Sequence, residues 1–203
     1  MTYPLTIEIA LFKLKPGVED MAFVAAAEAM LPDLHAVPGF VRRELLRGDD
    51  GLWVDVVHWR SLSEALAAMD LMMTQPSAGP FMAALDEQSI EMLHLQQVHV
   101  NEGDPAGTVE LVLLRLQPGA DEDAFIRAAR ATTSDLRALD GYASRELLRA
   151  DDGQWVDIVH WSTRDQALAA AEQFPTLPSA QAFGSLMDGG SIRMMHLEQV
   201  AAG

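Results

Sequence analysis

Five kinds of residue able to move protons, hold charge or stack on a ring occur at matched places in this chain. Glu8 stands in the apolar stretch Thr6-Ile7-Glu8-Ile9-Ala10-Leu11-Phe12, and Glu110 stands in its counterpart Thr108-Val109-Glu110-Leu111-Val112. A carboxyl group taken out of water must be paired, hydrogen-bonded or held neutral, and a raised pKa would suit it to general-base work. Asp55 and Asp157 sit amid Trp and Val, with Arg43 or Arg47, and Arg145 or Arg149, as cross-strand partners. Such a pair either orients a polar group of a ligand or fixes hairpin register. His94 and His196 share a strand face with Met92 and Met194, where a neutral imidazole could shuttle protons. Trp59 and Trp161 could stack on an aromatic ligand or plug the end of the fold. The candidate catalytic set is therefore Glu8, Asp55, His94, Glu110, Asp157 and His196, with Arg43, Trp59, Arg145 and Trp161 as ligand-binding candidates.

The matching is global. Every pair is separated by the same offset (196 − 94 = 102), without a gap. Arg43-Glu44-Leu45-Leu46-Arg47 returns as Arg145-Glu146-Leu147-Leu148-Arg149, and Val57-His58-Trp59 as Val159-His160-Trp161. A repeat of this length is a domain rather than a solenoid unit. We therefore expect repeat 1 over 1–100, a polar Gly- and Pro-containing linker over 101–107 and repeat 2 over 108–203. The chain then reads as a fused dimer, a pseudo-dimeric monomer whose edge strands could still support a higher oligomer. Both repeats keep all five residue types, so either both sites work or these residues are structural.

Within each repeat the hydrophobic period alternates between two and 3.6. In the first it predicts a strand over 5–14 and then a helix carrying Phe23, Ala27, Met30 and Leu34. Pro38-Gly39 stops that helix. A hairpin over 40–59 follows, turning at Asp49-Asp50-Gly51. A second helix starts at the capping box Ser61 and Glu64, matched by Thr163 and Gln166, with an expected apolar stripe of Leu62, Ala65, Leu66 and Met69. A short helix follows Pro76-Ser77, and a last strand covers 90–98. Strand, helix, strand, strand, helix, strand is the ferredoxin-like order, so the fold class is α+β, two tandem βαββαβ repeats packed sheet to sheet. Parity groups Glu8, Asp55, Trp59 and His94 on one face, with Phe12, Leu14, Val57 and Met92. We expect this face to be free of helices and turned toward the second sheet, and Val54, Val56 and His58 to lie under the helices.

Composition narrows the partners. The chain holds 30 acidic and 14 basic side chains, a net charge of −16, which disfavours nucleic acid and anionic membrane surfaces. No apolar run is long enough to span a bilayer and no secretory signal is visible, so a cytoplasmic location is expected. The absence of cysteine excludes disulfides, thiolate metal sites and a cysteine nucleophile. No recognised metal-ligand spacing, glycine-rich nucleotide loop or serine elbow is present, so no metal and no cofactor is expected.

Lys15-Pro16-Gly17, Gly39-Phe40 and Trp59-Arg60-Ser61 with Ala65, and in the second repeat Gln117-Pro118-Gly119, Gly141-Tyr142 and Trp161-Ser162-Thr163 with Ala167, carry a resemblance. The chain resembles the antibiotic biosynthesis monooxygenase-like family of the dimeric α/β-barrel superfamily over nearly its whole length. The resemblance implies an intramolecular α/β barrel and, among several chemistries of the superfamily, a cofactor-independent monooxygenase acting on a small apolar or aromatic molecule. The rival expectation is a non-catalytic ligand-binding or stress-associated barrel. Haem-degrading relatives combine an Asn on the first strand, the Trp and a His on the following helical segment. Here only Trp59 and Trp161 match, which argues against that branch.

Overall fold

The computed structural model describes residues 4–103 and 107–203, so the middle of the expected linker, 104–106, lies outside the described residues. The chain divides into two compact units, one reaching to Gln96 and joined by Gln199–Gly203, the other Gln97–Glu198. The first unit is built from β1 (Thr6–Lys13), α1 (Asp20–Ala29), α2 (Leu31–Ala36), β2 (Phe40–Arg47), β3 (Leu52–Trp59), α3 (Leu62–Met72), α4 (Ala78–Ala84) and most of β4 (Glu91–Asn101). The second repeats the order with β5 (Thr108–Leu114), α5 (Glu122–Leu136), β6 (Tyr142–Arg149), β7 (Trp155–Trp161), α6 (Arg164–Gln173), α7 (Ala180–Gly184) and most of β8 (Arg193–Ala202). Each repeat is thus βαββαβ, as expected. In hydrogen-bonded order the strands run β1-β3-β2-β8-β5-β7-β6-β4 and close into a barrel.

Both last strands are longer than their hydrophobic pattern suggests. The end of β8 serves the first unit, where the Arg43 N–H donates to Gly203 O at 2.7 Å and the Gly203 N–H to Arg43 O at 3.0 Å. The end of β4 serves the second unit, where Tyr142 donates its hydroxyl to Asn101 Oδ1 at 2.8 Å. Polar residues such as Gln97 and His99 hide these extensions from a purely apolar pattern.

Proline and glycine chemistry explains the local breaks. The expected first helix is split, because Pro32 in the first turn of α2 lacks the N–H that a continuous helix would use. Position 134 of the second repeat is Ser, and α5 runs unbroken for 15 residues. Gly39 adopts φ 85°, and a Cβ there would come within 2.6 Å of Glu64 Cβ, so the turn into β2 requires glycine. The hairpin turn has Asp50 and Gly51 both in the left-handed region, at φ 55° and 72°. The capping boxes form, with Ser61 Oγ accepting from the Glu64 N–H and Thr163 Oγ1 from the Gln166 N–H, each at 3.3 Å.

Two expectations about faces fail. The first concerns α3, which buries Ala65, Ala68 and Met72, while Leu62, Leu66 and Met69 stay exposed at 39%, 51% and 45%. Alanines let the helix lie close on the sheet, and the longer side chains are turned outward. The second is the parity assignment, which is inverted. Phe12, Trp53, Val57 and Trp59 pack with the helix residues Phe23, Ala27, Met30 and Leu34 in one core. Ile7, Ile9, Leu11, Val54 and Val56 occupy the helix-free face and are almost fully buried there. The grouping by parity is correct, but the helices cover the face that carries the acids. On β1 the helix-free face, Ile7, Ile9 and Leu11, is the more uniformly apolar one, and the helices, with their small residues, leave room for polar groups beneath them.

Candidate functional site

Register sets the site. In the first unit one rank crosses four strands as His94, Glu8, Val57 and Arg43, and the adjacent rank of the same face reads Met92, Ala10, Asp55 and Leu45. In the second unit the same ranks read His196, Glu110, Val159 and Arg145, then Met194, Val112, Asp157 and Leu147. Directly opposed residues touch, and so do diagonal ones with long side chains.

Glu8 Oε2 and His94 Nε2 therefore meet at 2.9 Å, and Glu110 and His196 at 3.0 Å. Burial pushes the Glu8 carboxyl above the usual carboxylate range. The hydrogen bond and charge of His94 pull it back, and the Asp55 carboxylate pushes it up again. Arg43 reaches Asp55 diagonally in a two-pronged pair, Nε to Oδ1 at 2.8 Å and Nη2 to Oδ2 at 2.7 Å. Its remaining Nη1 donates to Ala27 O at 2.9 Å, and its guanidinium lies 5.1 Å from the centre of the Phe81 ring. Arg47 is not the partner, since it pairs with Asp20 instead.

Arg145 and Asp157 form the same fork, at 2.8 and 2.6 Å, with Nη1 on Ala129 O at 2.9 Å. Here Nη1 also donates to Thr133 Oγ1 at 3.0 Å. Burial, the largest single influence, opposes the charge of Arg145, but the charge and hydrogen bond of Asp157 together with the charges of Tyr142 and Glu110 leave its pKa raised. Arg149 pairs elsewhere, with Glu122 at 2.8 Å. His99, hydrogen-bonded to Thr133, is held below the usual histidine range by burial and by Arg145. Burial likewise pushes the Tyr142 hydroxyl up to about 12.

Between sheet and helices each unit encloses a cavity. In the first it measures about 440 Å³, with Glu8, Arg43, Asp55 and Trp59 as its polar or polarisable wall. In the second it measures about 220 Å³, with Glu110, Arg145, Asp157 and Trp161 in the same roles. His94 and His196 do not line these cavities; each stands behind its glutamate. Trp59 and Trp161 are 2% and 1% exposed, and neither indole N–H has a hydrogen-bond partner among the described residues. A buried donor left unpaired costs on the order of 1–3 kcal/mol.

The structure thus brings eight of the ten candidate residues to two cavity walls, with both histidines one hydrogen bond away. It places His58 and His160 on the opposite face, where they bond Arg42 and Ser144 at 2.9 and 3.0 Å. Sequence reasoning passed over His99, Thr133, Phe81 and Phe174. The spacing of Met69, Met72 and Met73 signals a methionine-lined helix face, but nothing local announces that Phe174 reaches a cavity. Among the described residues, no group of three or more His, Asp or Glu is placed to hold a metal ion, and no helix is long and apolar enough to cross a membrane.

Comparison with known proteins agrees with this architecture. Residues 6–71 match the family described as antibiotic biosynthesis monooxygenase. No curated protein sequence matches the chain. Among solved structures it is similar to an anthrone oxidase-like protein, with a TM-score of 0.72 at 13% identity, covering 99% of this chain and 93% of that one. It is similar to a mutant chlorite dismutase from Candidatus Nitrospira defluvii, with a TM-score of 0.63 at 10% identity over 97% and 92% of the two chains. A ferredoxin-fold protein from Listeria monocytogenes, related to antibiotic biosynthesis monooxygenases, gives 0.59 at 12% identity over 98% and 96%. Identities this low speak for the fold alone. Residues 6–71, within the first repeat, are thus similar to the antibiotic biosynthesis monooxygenase family, and the chain carries two βαββαβ repeats whose strands close into a barrel.

Proposed function

We propose that this protein is a cofactor-independent monooxygenase acting on a small, largely apolar molecule that carries an acidic C–H or O–H. The observation that carries this reading is the Glu8–His94 pair, in which Glu8 faces an apolar cavity and His94 backs it at 2.9 Å. Glu8 takes the substrate proton. His94, whose side chain is 22% exposed, passes that proton toward solvent. The resulting carbanion gives one electron to dioxygen, the radical pair combines to a peroxide anion, and a proton returned from solvent through His94 and Glu8 gives the hydroperoxide. Loss of water then converts an activated CH₂ to C=O, so that one O₂ yields one oxygen in product and one water. Asp55 and Arg43 satisfy each other and act as a rigid polar wall rather than as proton carriers.

The test is oxygen uptake with a panel of planar phenols and activated methylene compounds. Glu8→Gln should lower it about 10²–10⁴-fold, with the residual pH–rate profile flattened on its acid side, and His94→Ala should slow it about 10-fold. A protein that binds these compounds and consumes no oxygen with any of them would instead be a ligand-binding barrel.

A further inference from the structure

The two cavities share their polar wall and differ in their roof. Met72 of the first unit corresponds to Phe174, Met73 to Pro175, and Ala10 on the sheet floor to Val112 (72 + 102 = 174). The backbone explains the first two. The Met73 N–H donates to Met69 O at 3.1 Å, so α3 runs on through Met72. Pro175 has no N–H to give. In the second unit α6 stops at Gln173, and the chain tightens into the 3-10 turn Phe174–Thr176. That turn sets the Phe174 ring edge-on to Phe183, with centroids 6.3 Å apart, and Phe174 lines the cavity. Val112 adds two methyl groups from below. The exchange of Phe12 for Leu114 acts the other way, yet the second cavity is still only about 220 Å³ against 440 Å³.

Lining chemistry differs as well. Met30, Met69, Met72, Met73, Met82 and Met92 surround the first cavity, whereas the second keeps only Met187 and Met194. Unbranched thioethers adapt their shape to a ligand body. Arg43 is already neutralised by Asp55, and Glu8 and Asp70 also line the first cavity, so an anion finds no free cation there. Trp161 keeps the same unpartnered N–H as Trp59, so the units differ in room rather than in this group.

We propose that the chain has one working ligand site, the first unit's cavity. Its ligand is a neutral, apolar, ring-sized molecule, and Phe174 with Val112 closes the second cavity to it. The proposal takes the location of the site from the functional reading above and nothing of its chemistry. Binding is therefore tested without turnover, using Prodan, a neutral naphthyl ketone whose fluorescence reports an apolar surrounding.

Wild-type protein should bind one Prodan per chain. The pair Ala10→Val with Met72→Phe should weaken this at least 10-fold. The pair Val112→Ala with Phe174→Met should raise the stoichiometry to two. Thermal unfolding of each variant confirms that it is folded, and the two reciprocal pairs guard against loss of either one. Two equal sites in the wild-type protein, no Prodan binding, or indifference to both pairs overturns the proposal. Oxygen uptake could fail while all of these binding results hold, which separates the two readings.

Discussion

The first unit spends its interior on space, and the second spends it on hydrogen bonds. Around Arg43 the neighbouring positions are Leu31 on α2 and Ala201 on β8, both without polar side chains. The matching positions around Arg145 are Thr133 and His99, and both add polar contact. Phe40 packs edge-on to Trp59, with ring centres 5.8 Å apart. Its counterpart Tyr142 does the same at 5.8 Å and also hydrogen-bonds Asn101. The same fold and the same ten site positions thus support two local economies.

The largest effect should come from removing the candidate base. A general base contributes about 10²–10⁴-fold in rate. Glu8→Gln should therefore lower oxygen uptake by that factor with a substrate that fills the first cavity. Glu110→Gln should change it less than about twofold, since the second cavity would not hold that substrate. Equal losses from the two variants would erase the functional difference between the units and leave only a structural one.

Next in size is the cost of breaking a buried fork. Removing one partner of a buried ion pair typically costs about 3–5 kcal/mol, because the other charge is left unpaired. Arg145→Met should fall in the upper part of that range and Arg43→Met in the lower, since Arg145 has Thr133 as an additional acceptor and is 0% exposed against 3%. Denaturant unfolding followed by tryptophan fluorescence gives both values. Thr133→Val should cost only about 1 kcal/mol, the worth of one neutral hydrogen bond. A Thr133→Val change that made the two units equally sensitive to loss of their arginine would locate the whole difference in that one hydroxyl.

Much of this arrangement can be read from the chain itself, and the misses have identifiable causes. The 102-residue offset gives two βαββαβ repeats, and a period of two places Glu8, Asp55 and Trp59 on one face. Which face receives the helices cannot be read that way. Both faces of β1 are rich in apolar residues, and parity labels them without saying which is covered. The stripe of α3 fails for a related reason. Leu62, Leu66 and Met69 are more hydrophobic than Ala65 and Ala68, but small residues decide how closely a helix can approach a sheet. The choice of Arg43 over Arg47 needed register, because both have the right parity relative to Asp55. The role of Phe174 needed the consequence of Pro175 two structural levels up, from a missing N–H to a shortened helix to a filled cavity.

The smallest expected effect is a pH dependence that comes from Glu8. Glu8 has a folded-state pKa raised above its ordinary value of 4.5, chiefly by burial. A group whose pKa is raised on folding binds its proton more tightly in the folded state. Its stabilising contribution is complete below pH 4.5 and is lost as pH rises through the folded-state value. Between those two points the unfolded chain has already released the proton that the folded chain still holds. Glu8→Gln removes this titration while keeping a hydrogen-bonding side chain opposite His94. Subtracting the unfolding free energy of the variant from that of the wild-type protein should give a difference that falls with pH above 4.5 and levels off once Glu8 is ionised in the folded state. A wild-type stability that rises through this window relative to Glu8→Gln would mean that His94 dominates over burial, making Glu8 an ion-pair partner rather than a base held ready in an apolar site.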